Sequence, residues 1–348
     1  MFVQIYFWNY YFNKLIKHES PKTHQVEENL TILICAKNEE ENLKELLPQL
    51  QNQNSKSDIL IVDDFSTDAS ISFLDASANE FSEVKYTSCS QDIPGKKQAL
   101  IDGLKNVDDG LILLTDADCR PASNDWSKLM STAINDKGIV LGYSPYKKTK
   151  GFLNRWIRYE AILTAIQYLS FALNARPYMG VGRNVLYRKS FIKNAEILIE
   201  NMNLASGDDD LLINNLANKD NTTIQIASDA WTYSAAKTSW GSYFSQKRRH
   251  MSTASSYKFS DQLILLLFSI SWILFYLTTI VLFIKGYWHQ ALLLLIIRWL
   301  STYLAVSPLF KKLNGKDCIA HWWYLDPLTA LYFSIFSIFA LIPQRNKW

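Results

Sequence analysis

The segment Gly110-Leu-Ile-Leu-Leu-Thr-Asp-Ala-Asp-Cys-Arg120 constrains the fold more than any other. Leu111 to Leu114 form an unbroken apolar run, the pattern of a strand covered on both faces, as in a parallel sheet. That strand runs straight into Asp116-Ala-Asp118. Ligands of open α/β sheets sit beyond the carboxyl ends of the strands, so a pair of carboxylates there points at a site. Asp-x-Asp sets hard oxygen donors close together, which suits a divalent cation that takes the rest of its shell from water and phosphates. The same residues would also serve as a plain loop, with Asp118 and Ser123 capping the next helix.

The flanking sequence repeats the strand-then-helix rhythm. Thr31–Ala36 reads as a strand, and Asn38–Gln51 as a helix with Glu39, Glu40 and Glu41 at its positive end. Asp58–Val62 is the next strand and ends in Asp63-Asp64-Phe-Ser-Thr-Asp68, with a helix to about Asn79. Val84–Thr87 is a short strand, and Pro94-Gly-Lys-Lys opens a helix through Lys105. The alternation predicts an α/β domain with a parallel sheet and right-handed crossovers.

Charge is distributed unevenly. Of 348 residues 20% are charged, but most of these precede about residue 260. Leu263–Ile284 is 22 residues without a charge, enough to cross a bilayer. Trp288–Phe310, despite Arg298, and Trp322–Pro343, despite Asp326, are further candidate spans. Lys311, Lys312 and Lys316 place the end of the second span in the cytoplasm, whereas Arg345 and Lys347 would lie outside, against the positive-inside rule. Residues 1–16, rich in aromatics, read as an interfacial anchor or a truncated span, and residues 149–175 as an amphipathic helix. The expected domains are therefore an anchor at 1–25, a nucleotide-binding domain at 26–255 and a membrane region at 256–348.

Several function classes lose support. A net charge of +3 without a Lys/Arg block gives no case for nucleic acid. None of the 12 glycines falls into GxGxxG or the P-loop spacing, and neither HExxH nor GxSxG occurs. Cys35, Cys89, Cys119 and Cys318 are scattered singly, which fits a reducing compartment and offers neither zinc spacing nor a disulfide framework.

What remains is a series of short motifs: Ala36-Lys-Asn-Glu-Glu, Val62-Asp-Asp-Phe-Ser-Thr-Asp, Gly95-Lys-Lys, Asp116-Ala-Asp, Gly207-Asp-Asp and Gln246-x-x-Arg249. In this order they resemble the family-2 inverting glycosyltransferases of the GT-A fold over about residues 30–255. With its apolar tail, the chain is similar to the membrane-embedded members, such as hyaluronan, chitin and cellulose synthases.

The resemblance implies a GT-A domain of Rossmann-like type followed by transmembrane helices, using a UDP-linked sugar donor and Mg2+ or Mn2+. By that resemblance Asp63 and Asp64 hold the nucleoside, while Lys37 and Glu39 line the base pocket. Asp116 and Asp118 bind ribose and metal, and Lys96 approaches the phosphates. Asp209 is the base, with Asp208 as the neighbouring candidate. Asn184, Gln246, Arg249 and His250 bind acceptor or product. The processive synthases end the last motif in Trp, where this chain has His250; that departure argues against processive synthesis. The implied acceptor is a saccharide or a lipid-linked glycan, at the cytoplasmic face of the cell membrane among membrane lipids. Transfer to a polyprenyl phosphate, or nucleotide binding without catalysis, are the competing expectations.

Overall fold

The computed structural model describes residues 1–21, 27–90, 95–192, 207 and 209–340, with side chains to residue 336. It forms two compact units, one made of the described residues of Glu19–Lys147 and Ala175–Ala235, the other of Met1–His18, Lys148–Asn174 and the described residues from Ala236 onward.

The first unit is built on a seven-stranded sheet. Its strands are β1 (Leu30–Ala36), β2 (Asp58–Asp63), β3 (Val84–Ser88), β4 (Leu111–Asp116), β6 (Ile139–Leu141), β7 (Val185–Arg188) and β8 (Thr222–Ile224). β5 (Arg120–Pro121) and β9 (Thr232–Tyr233) make a separate two-stranded ribbon. The order is β3-β2-β1-β4-β7-β6-β8. β1 pairs parallel with β2 and β4, as the strand–helix alternation predicts. Ile32, Ile34, Ile59, Ile61, Leu111 and Leu113 are all buried in one core, each contributing on the order of 1.5–3 kcal/mol. Helix Lys96–Asn106 packs closely on this sheet, since a Cβ at Gly103 would meet Leu33 at 2.7 Å.

The sheet is mixed rather than wholly parallel, a correction to the sequence expectation. β7 runs antiparallel to β4, with Leu114 opposite Val185. The chain enters β7 from the Gly180–Asn184 loop at the end of β4 that carries Asp116, and so has to run back along it.

In the second unit, Phe259–Ile284 and Trp288–Lys312 are the two helices among the described residues that are long and apolar enough to cross a membrane. Helix Trp322–Ala340 corresponds to the third expected span, whose expected end at Pro343 lies outside the described residues. Arg298 and Asp326 meet at 2.9 Å, both almost fully buried, and the Tyr276 hydroxyl also donates to Asp326. The aromatic segment at the start of the chain is helical and buries Phe7, Trp8 and Phe12. The Trp8 ring lies 6.0 Å from that of Trp272.

Helix Phe152–Leu173 is tied within the same unit by Arg158, which donates to both oxygens of Asp317 at 2.6 and 2.9 Å. Lys148 adds a second cation at 3.1 Å. The Arg158 hydrogen bonds hold the Asp317 carboxyl well below the usual carboxylate range, against the opposing effect of partial burial. A depressed folded-state pKa gives stability that is present above the unfolded value of about 3.9 and is lost as pH falls below it. Thermal unfolding of the full chain and of Asp317→Asn in detergent should therefore show a constant gap near neutral pH that narrows below about pH 4. A gap independent of pH would refute the assignment.

Candidate functional site

The carboxyl ends of β1, β2 and β4 carry three successive loops, and the expected donor residues fall on them. Asn38 and Phe65 take left-handed backbone conformations at φ 55° and 57°. That geometry braces the first two loops together: the Asn38 side chain accepts from the Thr67 N–H at 2.7 Å, and its own N–H donates to the Ser66 hydroxyl at 2.8 Å. Asp68 accepts from the Glu40 N–H and so caps a helix, as its turn chemistry suggests.

Asp63 and Asp64 are buried at the end of β2. Asp63 accepts from the Ser66 N–H through one oxygen, while the other is buried without a hydrogen-bond partner among the described residues. Asp64 accepts from the Gly95 N–H at 2.8 Å and lies 3.5 Å from the Lys37 ammonium. Beside it, burial and then the Asp64 charge push the Cys89 thiol up to about 12, so it stays protonated. Glu39 accepts from the Asn42 amide at 2.6 Å.

Lys96, the first residue of its helix, reaches Asp116 at 2.8 Å. The donor atoms of Asp116, Asp118 and Cys119 all lie within 4.8 Å of one another. Burial and then Asp116 raise the carboxyl of half-buried Asp118, with Arg183 pulling in the opposite direction. Asp118 is thus a partly desolvated carboxylate beside a second one, an arrangement that a cation would relieve. Burial also pushes up the thiol of Cys119. In the protonated form it is a weak ligand, and the hard oxygens are left as the donors for a hard cation.

Asp209 begins helix Asp210–Leu216. Its carboxylate accepts from the Asp210 N–H at 2.8 Å and from the Gly182 N–H at 2.7 Å. A Cβ at residue 182 would come within 3.0 Å of the Asp209 Cβ, so glycine there permits the approach. The Gly180–Asn184 loop leads into β7 beside the end of β4, and through Gly182 it also holds Asp209. Asp208 lies outside the described residues.

Asn184 does not have the expected role of contacting an acceptor. It is fully buried, accepting from the Trp126 indole at 3.0 Å and donating to the carbonyls of Tyr143 and Ala230. With its amide fully committed, it braces the loop. Gln246, Arg249 and His250 lie on helix Trp240–Met251 of the other unit, with Gln246 and Arg249 partly buried and His250 exposed.

Two arginines beside the acidic turn were not singled out by sequence reasoning. Arg183 stacks over the Tyr146 ring at 4.4 Å and donates to Ser234 and to the Ser144 carbonyl. Arg120 follows the turn directly. A cation at the start of a strand just after Asp-x-Asp was the available signal for it.

Residues 31–195 match Glycosyl transferase family 2. The match spans Lys37 through Asn184 of the expected site and stops short of Asp209, Gln246, Arg249 and His250. No curated protein matches the sequence.

Among solved structures, the chain is similar to the mannosyltransferase PcManGT from Pyrobaculum calidifontis, in complex with GDP-Man and Mn2+. The TM-score is 0.63 at 14% identity, over 98% of this chain and 94% of that one. That likeness shows the fold: a GT-A-type mixed sheet followed by apolar helices. More distant are S. aureus TarS 1-349 in complex with UDP-GlcNAc (TM-score 0.46, 14% identity, 89% and 90% covered) and a glucosyl-3-phosphoglycerate synthase from Mycobacterium tuberculosis (0.46, 14%, 66% and 79%). At those scores neither bears on this chain.

Proposed function

We propose that the protein is a membrane-anchored inverting glycosyltransferase. It moves a sugar from a UDP-linked donor to a saccharide or lipid-linked acceptor in the synthesis of a cell-surface glycan. One observation carries the reading: Asp116 ends β4 and Asp118 follows in the turn, with the Lys96 ammonium at 2.8 Å from Asp116 and the two carboxylates' donor atoms within 4.8 Å. The family match over 31–195 supports the reaction class. The likeness to a mannosyltransferase in complex with GDP-Man and Mn2+ agrees with a nucleotide-sugar donor and a divalent cation.

In this reading Asp116 and Asp118 hold Mg2+ or Mn2+, and Asp64, Asp63, Lys37 and Glu39 surround the nucleoside. A cation there offsets the charge that builds on the departing diphosphate. Lys96, which pairs with Asp116, serves the phosphates. Asp209 takes the proton from the acceptor hydroxyl as its oxygen bonds to the anomeric carbon opposite the leaving group, which inverts that centre. The two N–H donors on Asp209 fix its orientation for this step.

The apolar faces of Phe259–Ile284 and Trp288–Lys312 anchor the enzyme in the cell membrane, with the catalytic unit on the cytoplasmic side. Leu263, Leu266, Leu274, Leu293 and Leu304 are exposed on these helices and suit lipid contact. Gln246, Arg249 and His250 serve the acceptor or product. Because imidazole offers less apolar area than indole for a sugar ring to cover, His250 favours release after one or a few transfers.

The test is a panel of UDP- and GDP-sugars with the purified full chain in detergent, scored for released nucleoside diphosphate and for product length. At least one UDP-sugar should be consumed, with Mn2+ or Mg2+ required and short products formed. Absence of release from every donor would overturn the reading.

A further inference from the structure

The backbone of the Asp116–Cys119 turn is held by the side chain of Arg120. Arg120, almost fully buried, uses all five of its N–H donors. Nη1 donates to the backbone carbonyls of Ala117 at 3.0 Å and Cys119 at 2.8 Å. Those carbonyls belong to the residues on either side of Asp118. Nη2 donates to the Asn42 side-chain oxygen at 3.0 Å and to Glu45 at 2.8 Å, and Nε to the same Glu45 oxygen at 3.2 Å. Asn42 in turn donates to Glu39.

One guanidinium therefore joins the turn bearing Asp116 and Asp118 to helix Glu40–Gln51, whose leading loop carries Lys37 and Glu39. Its own strand, β5, is held by pairing with β9. The attached Glu45 is largely exposed, and the Arg120 hydrogen bonds keep its carboxyl below the usual range.

We infer that Arg120 is a positioning residue for divalent-cation binding: it fixes the spacing of the Asp116 and Asp118 carboxylates and couples that turn to the Lys37–Glu39 loop. The inference rests on the reading of Asp116 and Asp118 as metal ligands. Lysine cannot substitute, because an ammonium has three donors and lacks the planar fork that reaches the turn carbonyls and the helix together. A loosened turn costs metal affinity because the carboxylates have to be ordered on binding.

The experiment is Mn2+ titration of the purified full chain followed by the electron paramagnetic resonance of free Mn2+, without any sugar donor. Arg120→Lys should weaken Mn2+ binding at least tenfold while thermal unfolding stays cooperative. Glu45→Ala, which removes only the exposed anchor, should weaken it by a smaller factor and covers the case in which Arg120→Lys fails to fold. Arg188→Gln serves as a structural control: Arg188 also ties a loop, through Glu28 and the carbonyls of Asn135 and Lys137. It should lower the unfolding temperature without changing Mn2+ affinity.

Asp118→Ala separates the two claims. If it binds Mn2+ as the unaltered chain does, the metal reading itself fails. If it loses Mn2+ while folded Arg120→Lys and Glu45→Ala bind normally, the metal reading stands and the positioning role of Arg120 is overturned.

Discussion

Replacing Asp209 with Asn is expected to lower turnover by about a hundredfold or more while nucleotide-sugar affinity changes little. The substitution keeps the shape of the group and removes its basicity. It also changes the local hydrogen bonding. Asp209 presents one oxygen to the Gly182 N–H and the other to the Asp210 N–H. An amide can accept only one of these bonds and turns its NH2 toward the other donor, so some loss of order at the loop accompanies the loss of the base. Steady-state kinetics with the donor identified by the panel separates the effects, since a lost base lowers kcat and a displaced loop also raises KM. Full activity in Asp209→Asn would move the base to another carboxylate, Asp208 first.

Asp118→Ala is expected to abolish metal-dependent binding of the nucleotide sugar and leave the fold intact. Asp118 lies beyond the end of β4 and contributes nothing to the buried sheet face. Burial and Asp116 together raise its carboxyl, so the uncomplexed folded chain is strained by that charge rather than stabilised by it. Removing the carboxylate should therefore leave the unfolding temperature unchanged or slightly higher. Loss of donor binding beside undiminished stability identifies a ligand. Normal turnover in Mn2+ would sink the assignment.

The sequence makes β1, β2 and β4 plain because each carries a buried apolar run that no polar residue interrupts. β1, β2 and β4 each begin and end within a residue or so of their apolar segments. β6, β7 and β8 are short, and β7 starts about seventy positions after β4, which it joins. No local pattern records such a pairing. The acidic residues of the candidate site stand out by the same logic, since Asp63 and Asp116 end strands and Asp64 directly follows one. Asn184 was misjudged because an Asn in a glycine-rich loop looks the same whether it faces solvent or spans three buried partners. Arg120 was overlooked for the opposite reason. Its partners, Asn42 and Glu45, precede it by 78 and 75 positions, so the clamp exists only once the helix has packed.

Under the proposed membrane anchoring, the Arg298–Asp326 contact bears on how the anchor would insert. Inserted alone, helix Trp288–Lys312 would bring a guanidinium near mid-bilayer, at a cost of about 2.5–3.5 kcal/mol, and helix Trp322–Ala340 would carry a carboxylate in its second turn. Held together at 2.9 Å, the charges mask one another. These helices are therefore best delivered as partners, the first kept near the insertion machinery until the second emerges. Biogenesis of the anchor then becomes a single cooperative event, and an error in either charge leaves both helices poorly inserted.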